Sequence, residues 1–176
     1  HARDPHGILK KIFKLFLDRG GKFVQTNIKN LEQINNNETA IRSENDEYKF
    51  EKTVVASGAF SKSLTDQLGE NIPLDTERGY HVHFKGKDHL INRPVIFLDR
   101  GFGMTPMNQG LRAVGTVELG GLKNPPSKKR IDYIVKCANE LLPDLGNHED
   151  EWLGFRPSVP DFLPILGPSI KNKNII

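Results

Sequence analysis

The hydrophobic and polar positions of the first fifty residues follow a helical period and then a strand period. Asp4 and Pro5 suit the cap and first position of a helix, and apolar residues recur at helical spacing as far as Phe16. Because Gly20 and Gly21 end that pattern, it predicts an amphipathic helix over 6–19 with its apolar stripe on a core. Short strands are predicted next, at Lys22–Gln25, Ile28–Ile34, Thr39–Ser43 and Tyr48–Phe50, the last three forming a β-meander with Asn- and Asp-rich turns.

The rest of the chain predicts one buried strand, a second sheet and a second helix. The β-branched run Lys52–Ala56 is typical of a strand buried on both faces, and the small residues Ser57 and Gly58 after it would let a ligand approach closely. A helix is predicted after Ser127, with an apolar stripe that ends at Pro143. The strands of a mainly antiparallel sheet are predicted at Tyr80–Lys85, Val95–Asp99, Phe102–Pro106 and Leu111–Glu118.

Composition narrows the class of protein. A net charge of +3 with scattered basic residues, apart from Lys128–Arg130, argues against a nucleic-acid binder and leaves a solvated surface as the simpler interpretation. No apolar run approaches the roughly 20 residues of a membrane helix, and the single Cys137 fits a reducing compartment. Because the chain opens at His1 and stops at Ile176, where an apolar strand is starting, we expect a piece of a longer protein.

Several short motifs have ordinary structural interpretations. Gly101-Phe102-Gly103 lies between strands, so it predicts a turn rather than a dinucleotide loop, and GTVELGG after Ala113-Val114 lacks the ending of a phosphate loop. His81 and His83 share a strand face, but no third ligand stands at a diagnostic spacing, so no metal site is predicted. Glu118 is interpreted as a strand-end charge, with a base or a substrate contact as alternatives. Cys137 is predicted to be a small buried hydrophobe.

Arg156 is the single arginine in the largely apolar stretch EWLGFRPSVPDFLPILGPS, which spans 151–169. The four prolines of this stretch favour a stiff, extended and aperiodic backbone rather than a helix or a central strand. A guanidinium in such surroundings must reach solvent or meet an anion, because an unpaired buried charge is very costly. Composition alone leaves two interpretations of Arg156 open, an anion clamp and a structural salt bridge.

Several segments, in order along the chain, resemble the D-amino-acid oxidase-like flavoproteins, especially the bacterial D-amino acid dehydrogenase small-subunit type. The resemblance covers nearly all 176 residues. It is carried by RDPHGILKKIFKLFLDRGGKF, VVASGAFS, ERGYHVHF, MTPMNQGLRAVGTVELGG and EWLGFRPSVPDFLPILGPS. The family's N-terminal GxGxxG region and its final Gly-rich strand and helix are not among the matched segments. The resemblance therefore implies the middle of such an enzyme, which by itself is not expected to hold FAD or to turn over.

The implied fold class is α+β: a mainly antiparallel substrate-domain sheet with helices, plus a β-meander and other elements of an incomplete FAD-binding domain. Residues 1–72 would belong to the FAD-binding domain, 73–153 to the substrate domain, and 154–176 would return toward the FAD-binding domain. In the family, the arginine of the Arg-Pro motif, Arg156 here, clamps the substrate carboxylate. Tyr80 and Met104 are expected to contact the substrate as well, whereas Ser57 and Gly58 resemble residues that line FAD.

The resemblance implies oxidative deamination of D-amino acids, with hydride passing from the substrate Cα to FAD and electrons passing on to a quinone or carrier. The implied protein is cytoplasmic, or peripheral to the inner face of a bacterial membrane, with a small amino acid as its partner and self-association left open. A sarcosine- or glycine-oxidase-like enzyme is the nearest alternative. A non-catalytic binding module with a basic surface is the alternative from another class.

Overall fold

The computed structural model describes all 176 residues, His1–Ile176, as two compact units. The first unit contains residues 1–23 and 77–155, and the second contains residues 24–76 and 156–176. The breaks expected after 72 and 153 lie near two of these boundaries, but the first helix belongs with residues 77–155 rather than with the meander. Within that unit the backbone N–H of Asn108 donates to the carbonyl of Arg3, whose guanidinium lies 3.0 Å from Asp88.

Three α-helices and eight β-strands form the regular structure. The helices are α1 (Pro5–Asp18), α2 (Lys62–Thr65) and α3 (Lys128–Leu141). The strands are β1 (Asn30–Asn35), β2 (Glu38–Arg42), β3 (Glu47–Phe50), β4 (Asp75–Phe84), β5 (Val95–Phe97), β6 (Phe102–Met107), β7 (Gly110–Leu119) and β8 (Glu149–Ser158). One sheet has the order β1-β2-β3 and the other the order β5-β6-β7-β4-β8. The predicted α+β class is confirmed, since the β1–β2, β2–β3, β4–β7, β5–β6 and β6–β7 pairs are all antiparallel.

Helix α1 begins where the sequence predicts but does not bury its apolar stripe. The Asp4 carboxylate accepts a 2.8 Å hydrogen bond from the Gly7 N–H, with Pro5 at the first helical position, and Gly20 follows the helix with a φ of +85°. No residue of α1 is buried, and Leu9 is 63% exposed. The predicted contact with a core is therefore wrong for this chain, because periodicity reports that a helix has an apolar side without reporting what covers it.

Helix α3 packs on one face of the five-stranded sheet and forms the main core. Ile131, Ile134, Cys137 and Ala138 are its buried residues, so the predicted stripe and the buried thiol are both confirmed. The sheet contributes Tyr80, Val82, Phe84, Phe102, Met104, Leu111 and Ala113 to the same cluster. We call the side of the sheet that faces α3 the helix face, and the opposite side the open face. None of the helices in the structure has the length and hydropathy that a membrane crossing requires.

A β-bulge in β7 changes which side chains reach the helix face. Tyr80 pairs with Gly115 and Gly79 pairs with Val117, so Thr116 is an extra residue without a partner in β4. Its φ is +61°, which is rare for a β-branched residue, and Thr116 is the only non-glycine residue of β7 with a positive φ. Beyond the bulge, Glu118 pairs with Arg78 and shares the helix face with Tyr80, whereas simple alternation from Arg112 would have put Glu118 on the open face.

The proline-rich segment is only partly irregular. β8 continues through Arg156 and Pro157 to Ser158, so the expected aperiodic backbone is wrong at the start of the stretch, although β8 is an edge strand and not the central strand that the prolines were expected to exclude. Pro157 is tolerated because β8 is at the edge of the sheet, where a missing N–H need not interrupt a ladder of hydrogen bonds. From Val159 to Ser169 the chain contains turns and irregular backbone, as predicted.

The second unit contains the predicted meander but not two of the predicted strands. Lys22–Gln25 forms no strand, and in Lys52–Ala56 only Thr53 makes a β-bridge, parallel to Ile175. Val54 is 65% exposed, so the predicted burial on both faces is wrong. The run is bonded to the end of the chain, where the Val55 N–H donates to the Ile176 carbonyl at 2.7 Å. Leu31, Leu68 and Ile175 form the small core of this unit.

Candidate active site

Tyr80 and its neighbour His81 point to opposite sides of β4. Successive side chains of a strand alternate, and Tyr80 joins the core under α3 while His81 lies on the open face. Tyr80 is only 1% exposed, and Met104, which shares the helix face, is 3% exposed. The substrate contacts expected for these two residues would require the core to open, so they stay a prediction that this packing does not support.

The hydroxyl of Tyr80 belongs to a polar network with Glu118 at its centre. It donates a hydrogen bond of 2.5 Å to Glu118 and accepts one of 3.1 Å from the Ser127 N–H, just before α3. Arg78 Nε lies 3.2 Å and Arg130 Nε 3.6 Å from the Glu118 carboxylate. Glu118, in β7, therefore contacts side chains of β4 and of the start of α3, and is not the ordinary strand-end charge that the sequence suggested.

Arg78 is the structural residue that sequence reasoning missed. Its side chain is fully buried, and besides Glu118 it reaches two carbonyls of the loop before α3, donating to Pro125 at 2.9 Å and to Gly120 at 3.4 Å. Those bonds satisfy a charge that would otherwise be expensive to bury. A signal was available, because Arg78 stands two residues before Tyr80 and so falls on the same strand face, where a charge needs a partner.

The open face carries a group of aromatic and cationic side chains, all within the first unit. The rings of His81 and His83 meet edge to face with centroids 4.9 Å apart, and His81 stacks on Trp152 of β8 at 4.7 Å. Arg112 of β7 pairs with His83 of β4 and with Thr105 of β6. We call His81, His83, Arg112 and Trp152 the open-face cluster.

Both imidazoles of the open-face cluster favour the neutral form. Burial is the main cause that lowers the pKa of His81 to about 4, with smaller contributions from His83 and Arg112, while Asp150 acts in the opposite direction. Burial likewise lowers the pKa of His83, and Arg112 adds to the effect. Arg112 is therefore the one permanent cation among these side chains at neutral pH. The group contains too few ligands for a metal, and no set of three or more His, Cys, Asp or Glu that could hold one occurs in the structure.

Arg156 lies on the exposed part of β8, immediately before Pro157. The chain beyond it borders a shallow groove of about 440 Å³, lined by residues that include Val159, Asp161 and Ile165. Arg156 is thus at a surface that a ligand can reach. Exposure lets the charge of Arg156 reach solvent, and it does not by itself distinguish an anion clamp from a structural salt bridge.

Ser57 and Gly58 form an exposed turn in the second unit. Gly58 has a φ of +56°, which glycine adopts at least cost, and nothing lies within 4 Å of the position that a Cβ would occupy. Ser57 and Gly58 accept, through their carbonyls, the N–H groups of Phe60 and Ser61 in the short turn that follows. The open space beside Gly58 fits close approach by a ligand and agrees with, but does not test, the contact with FAD that the sequence suggested.

The first unit is an antiparallel sheet with α3 packed on one face, and the second unit contains the β-meander. This combination of elements is the fold by which the chain can be compared with known proteins. Residues 1–176 match the family described as FAD dependent oxidoreductase (DAO), and the chain belongs to that family. Its solved structural neighbours include the glycine oxidase of Geobacillus kaustophilus, at a TM-score of 0.77 and 21% identity over 89% of this chain and 43% of that one. The iminodiacetate oxidase of Chelativorans sp. BNC1 has a TM-score of 0.78 and 18% identity, over 96% of this chain and 47% of that one. These likenesses establish the fold alone.

Relatives with higher sequence identity are named as enzymes that act on D-amino acids. A D-amino-acid oxidase of Bradyrhizobium diazoefficiens is 33% identical over 180 residues, which cover 99% of this chain and 43% of that protein. A D-amino acid dehydrogenase of Vibrio vulnificus is 30% identical over 175 residues, covering 96% and 42%. The chain therefore spans less than half the length of these relatives. The predicted family is confirmed.

Proposed function

We propose that the protein to which this chain belongs oxidises D-amino acids to the corresponding imino acids, which water then hydrolyses to a 2-oxo acid and ammonium. The observation that carries the proposal is the alignment of the whole chain with a D-amino-acid oxidase at 33% identity. In this reaction the Cα–H bond breaks, its hydrogen and both electrons leave together, and the amine loses a proton as the C=N bond forms. FAD, when bound, supplies the acceptor for that hydride.

Arg156 is proposed to bind the substrate carboxylate. A guanidinium offers two parallel N–H donors to a carboxylate, and β8 with Pro157 restricts the backbone from which it projects. Holding the carboxylate at two points fixes the rotation of the substrate, which determines where its Cα–H points. Orientation of this kind lowers the barrier without any acid or base from the protein.

Ser57 and Gly58 are proposed to contact FAD. Their exposed turn has room for close approach, and a side chain at position 58 would both strain the backbone and fill that room. Tyr80 and Met104 are assigned instead to the packing behind the sheet, because both lie within the core.

The clamp is tested by Arg156→Lys and Arg156→Gln in the full-length, FAD-loaded protein. Loss of one or both charge-assisted hydrogen bonds should raise the KM for D-alanine about 10- to 100-fold, with Lys less affected than Gln. Arg93→Lys, at an exposed arginine of the first unit, is the matched control. An unchanged KM in both Arg156 variants would remove Arg156 from the substrate site.

The substrate class is tested separately by anaerobic reduction of the bound flavin. We expect D-alanine to bleach the flavin absorbance faster than glycine, sarcosine or L-alanine. Faster bleaching by glycine or sarcosine would favour the amine-oxidase alternative, and bleaching by none of the four would overturn the proposal.

A further inference from the structure

Arg112 differs from Arg78, Arg100 and Arg130 in having no carboxylate partner. Arg78 and Arg130 lie beside Glu118, and Arg100 is 2.7 Å from Glu140. Arg112 has no carboxylate within 4.0 Å, and its Nε is buried without a hydrogen-bond partner. A guanidinium that is partly removed from water and lacks an anion is energetically unsatisfied, and binding an anion would remove that cost.

The neighbours of Arg112 favour an anion as its partner. His83 lies directly across from it in β4 and Thr105 directly across in β6, so an imidazole and a hydroxyl flank the guanidinium on the same face. With both imidazoles uncharged, each can donate one N–H to an oxygen atom without adding charge of its own. The Asp150 carboxylate raises the pKa of both histidines, against the effect of burial, yet it forms no ion pair with Arg112.

Apolar surface borders the open-face cluster on the side of His81. Val114, which pairs with His81, is 37% exposed, and Trp152, stacked on His81, is 52% exposed. Hydrogen bonds to a charged group are stronger where neighbouring apolar groups exclude water. The face therefore offers one cation, neutral hydrogen-bond donors and an apolar border, which suits a carboxylate at the end of a short aliphatic chain rather than a highly charged, strongly hydrated phosphate.

We propose that Arg112, with His81 and His83, forms a carboxylate-binding site on the open face of the sheet. If the protein oxidises D-amino acids as proposed, this site would select substrates whose side chain ends in a carboxylate. Arg112 would be the specificity-determining residue, because D-glutamate and D-glutamine are nearly the same in shape and differ at that end in charge.

Binding can be measured without catalysis, because the chain contains a single tryptophan and that residue stacks on His81. At pH 7.5 and low salt, butyrate should change the fluorescence of Trp152 saturably, whereas the neutral butyramide should not. Arg112→Gln should raise the Kd for butyrate at least about tenfold, and Arg112→Lys should raise it less. Arg93→Gln is the matched control, and circular dichroism of each variant verifies the fold.

Either of two results would overturn the site: a butyrate response that Arg112→Gln leaves unchanged, or saturable binding of inorganic phosphate in preference to butyrate. In the full-length enzyme, Arg112→Gln should lower the D-glutamate to D-glutamine ratio of kcat/KM about tenfold while D-alanine oxidation persists. An unchanged ratio would overturn the role in specificity. Failure to oxidise any amino acid would instead overturn the proposed function and leave the fluorescence test to decide the site.

Discussion

At the scale of single residues, hydrogen bonding assigns Tyr80 to the structure rather than to the ligand. Its hydroxyl donates to Glu118 and accepts from the Ser127 N–H, so it joins the start of α3 to β7. Removing the hydroxyl would take one hydrogen bond from each partner, although Glu118 would keep Arg78 and Arg130 beside it. A buried hydroxyl with two protein partners has little capacity left for a substrate.

Tyr80→Phe should therefore lower the free energy of unfolding by about 1–2 kcal/mol, since Glu118 and the Ser127 N–H each lose a partner. Tyr133→Phe is the matched control: that tyrosine is exposed and donates one hydrogen bond of 2.8 Å to the Arg100 carbonyl. Urea denaturation of both variants measures the difference. A raised KM for D-alanine in Tyr80→Phe, with stability unchanged, would return Tyr80 to the substrate site.

At the scale of elements, one extra residue in β7 decides the composition of both sheet faces. The Thr116 bulge places Glu118 on the helix face, where it contacts Arg78, and Val117 on the open face, the reverse of what regular alternation from Arg112 would give. If Thr116 were paired in a regular ladder, Arg78 would be buried beside no carboxylate. A strained φ of +61° at Thr116 is the local cost of this arrangement.

Deleting Thr116 should leave Glu118 opposite Arg78, because without the extra residue Gly115, Val117 and Glu118 alternate regularly and keep their present partners in β4, so the free energy of unfolding should change by no more than about 1 kcal/mol. Thr116→Gly keeps the bulge and relieves the strain, so it should match or exceed wild-type stability, by up to about 1 kcal/mol. Thermal unfolding compares the two variants. A deletion variant that is destabilised by more than about 3 kcal/mol would contradict this prediction, because it would indicate that Arg78 has lost its carboxylate partner.

At the scale of the whole molecule, stability should decline as the pH becomes acidic. His81 has an ordinary pKa of 6.5 and a pKa of about 4 in the folded protein, so protonation favours the unfolded chain. Its contribution is complete above pH 6.5 and is lost as the pH falls from 6.5 to 4. Glu70 acts in a lower range, because hydrogen bonds from Ser169 and the Lys171 N–H lower its pKa, and that contribution is lost as the pH falls below 4.5.

His81→Gln should reduce the loss of stability between pH 6.5 and 4 by about 1–2 kcal/mol, a value that allows for the partial exposure of the ring to solvent. Urea unfolding at a series of pH values measures it. His89→Gln, at an exposed histidine outside the open-face cluster, is the matched control. An identical pH dependence in wild type and His81→Gln would contradict the assignment.

Local sequence was sufficient for most elements. The cap at Asp4 and Pro5, the meander turns and the stripe of α3 each depend on neighbours within about four residues, and all three appear in the structure. The strand predicted at Lys22–Gln25 and the burial of Lys52–Ala56 failed, because a strand exists only where another strand pairs with it.

By itself, therefore, the sequence determined the family, the order of helices and strands, and the presence of an arginine before Pro157. Only the tertiary structure decided which face of the sheet each side chain reaches. Tyr80 lies in the core, Glu118 accepts a hydrogen bond from this residue 38 positions away, and Arg112 lies on the open face without a carboxylate partner. The physical reason is that side chains alternate along a strand with a period of two. One bulged residue therefore reverses the sheet face of every side chain that follows it in the strand, and no local sequence pattern predicts the bulge.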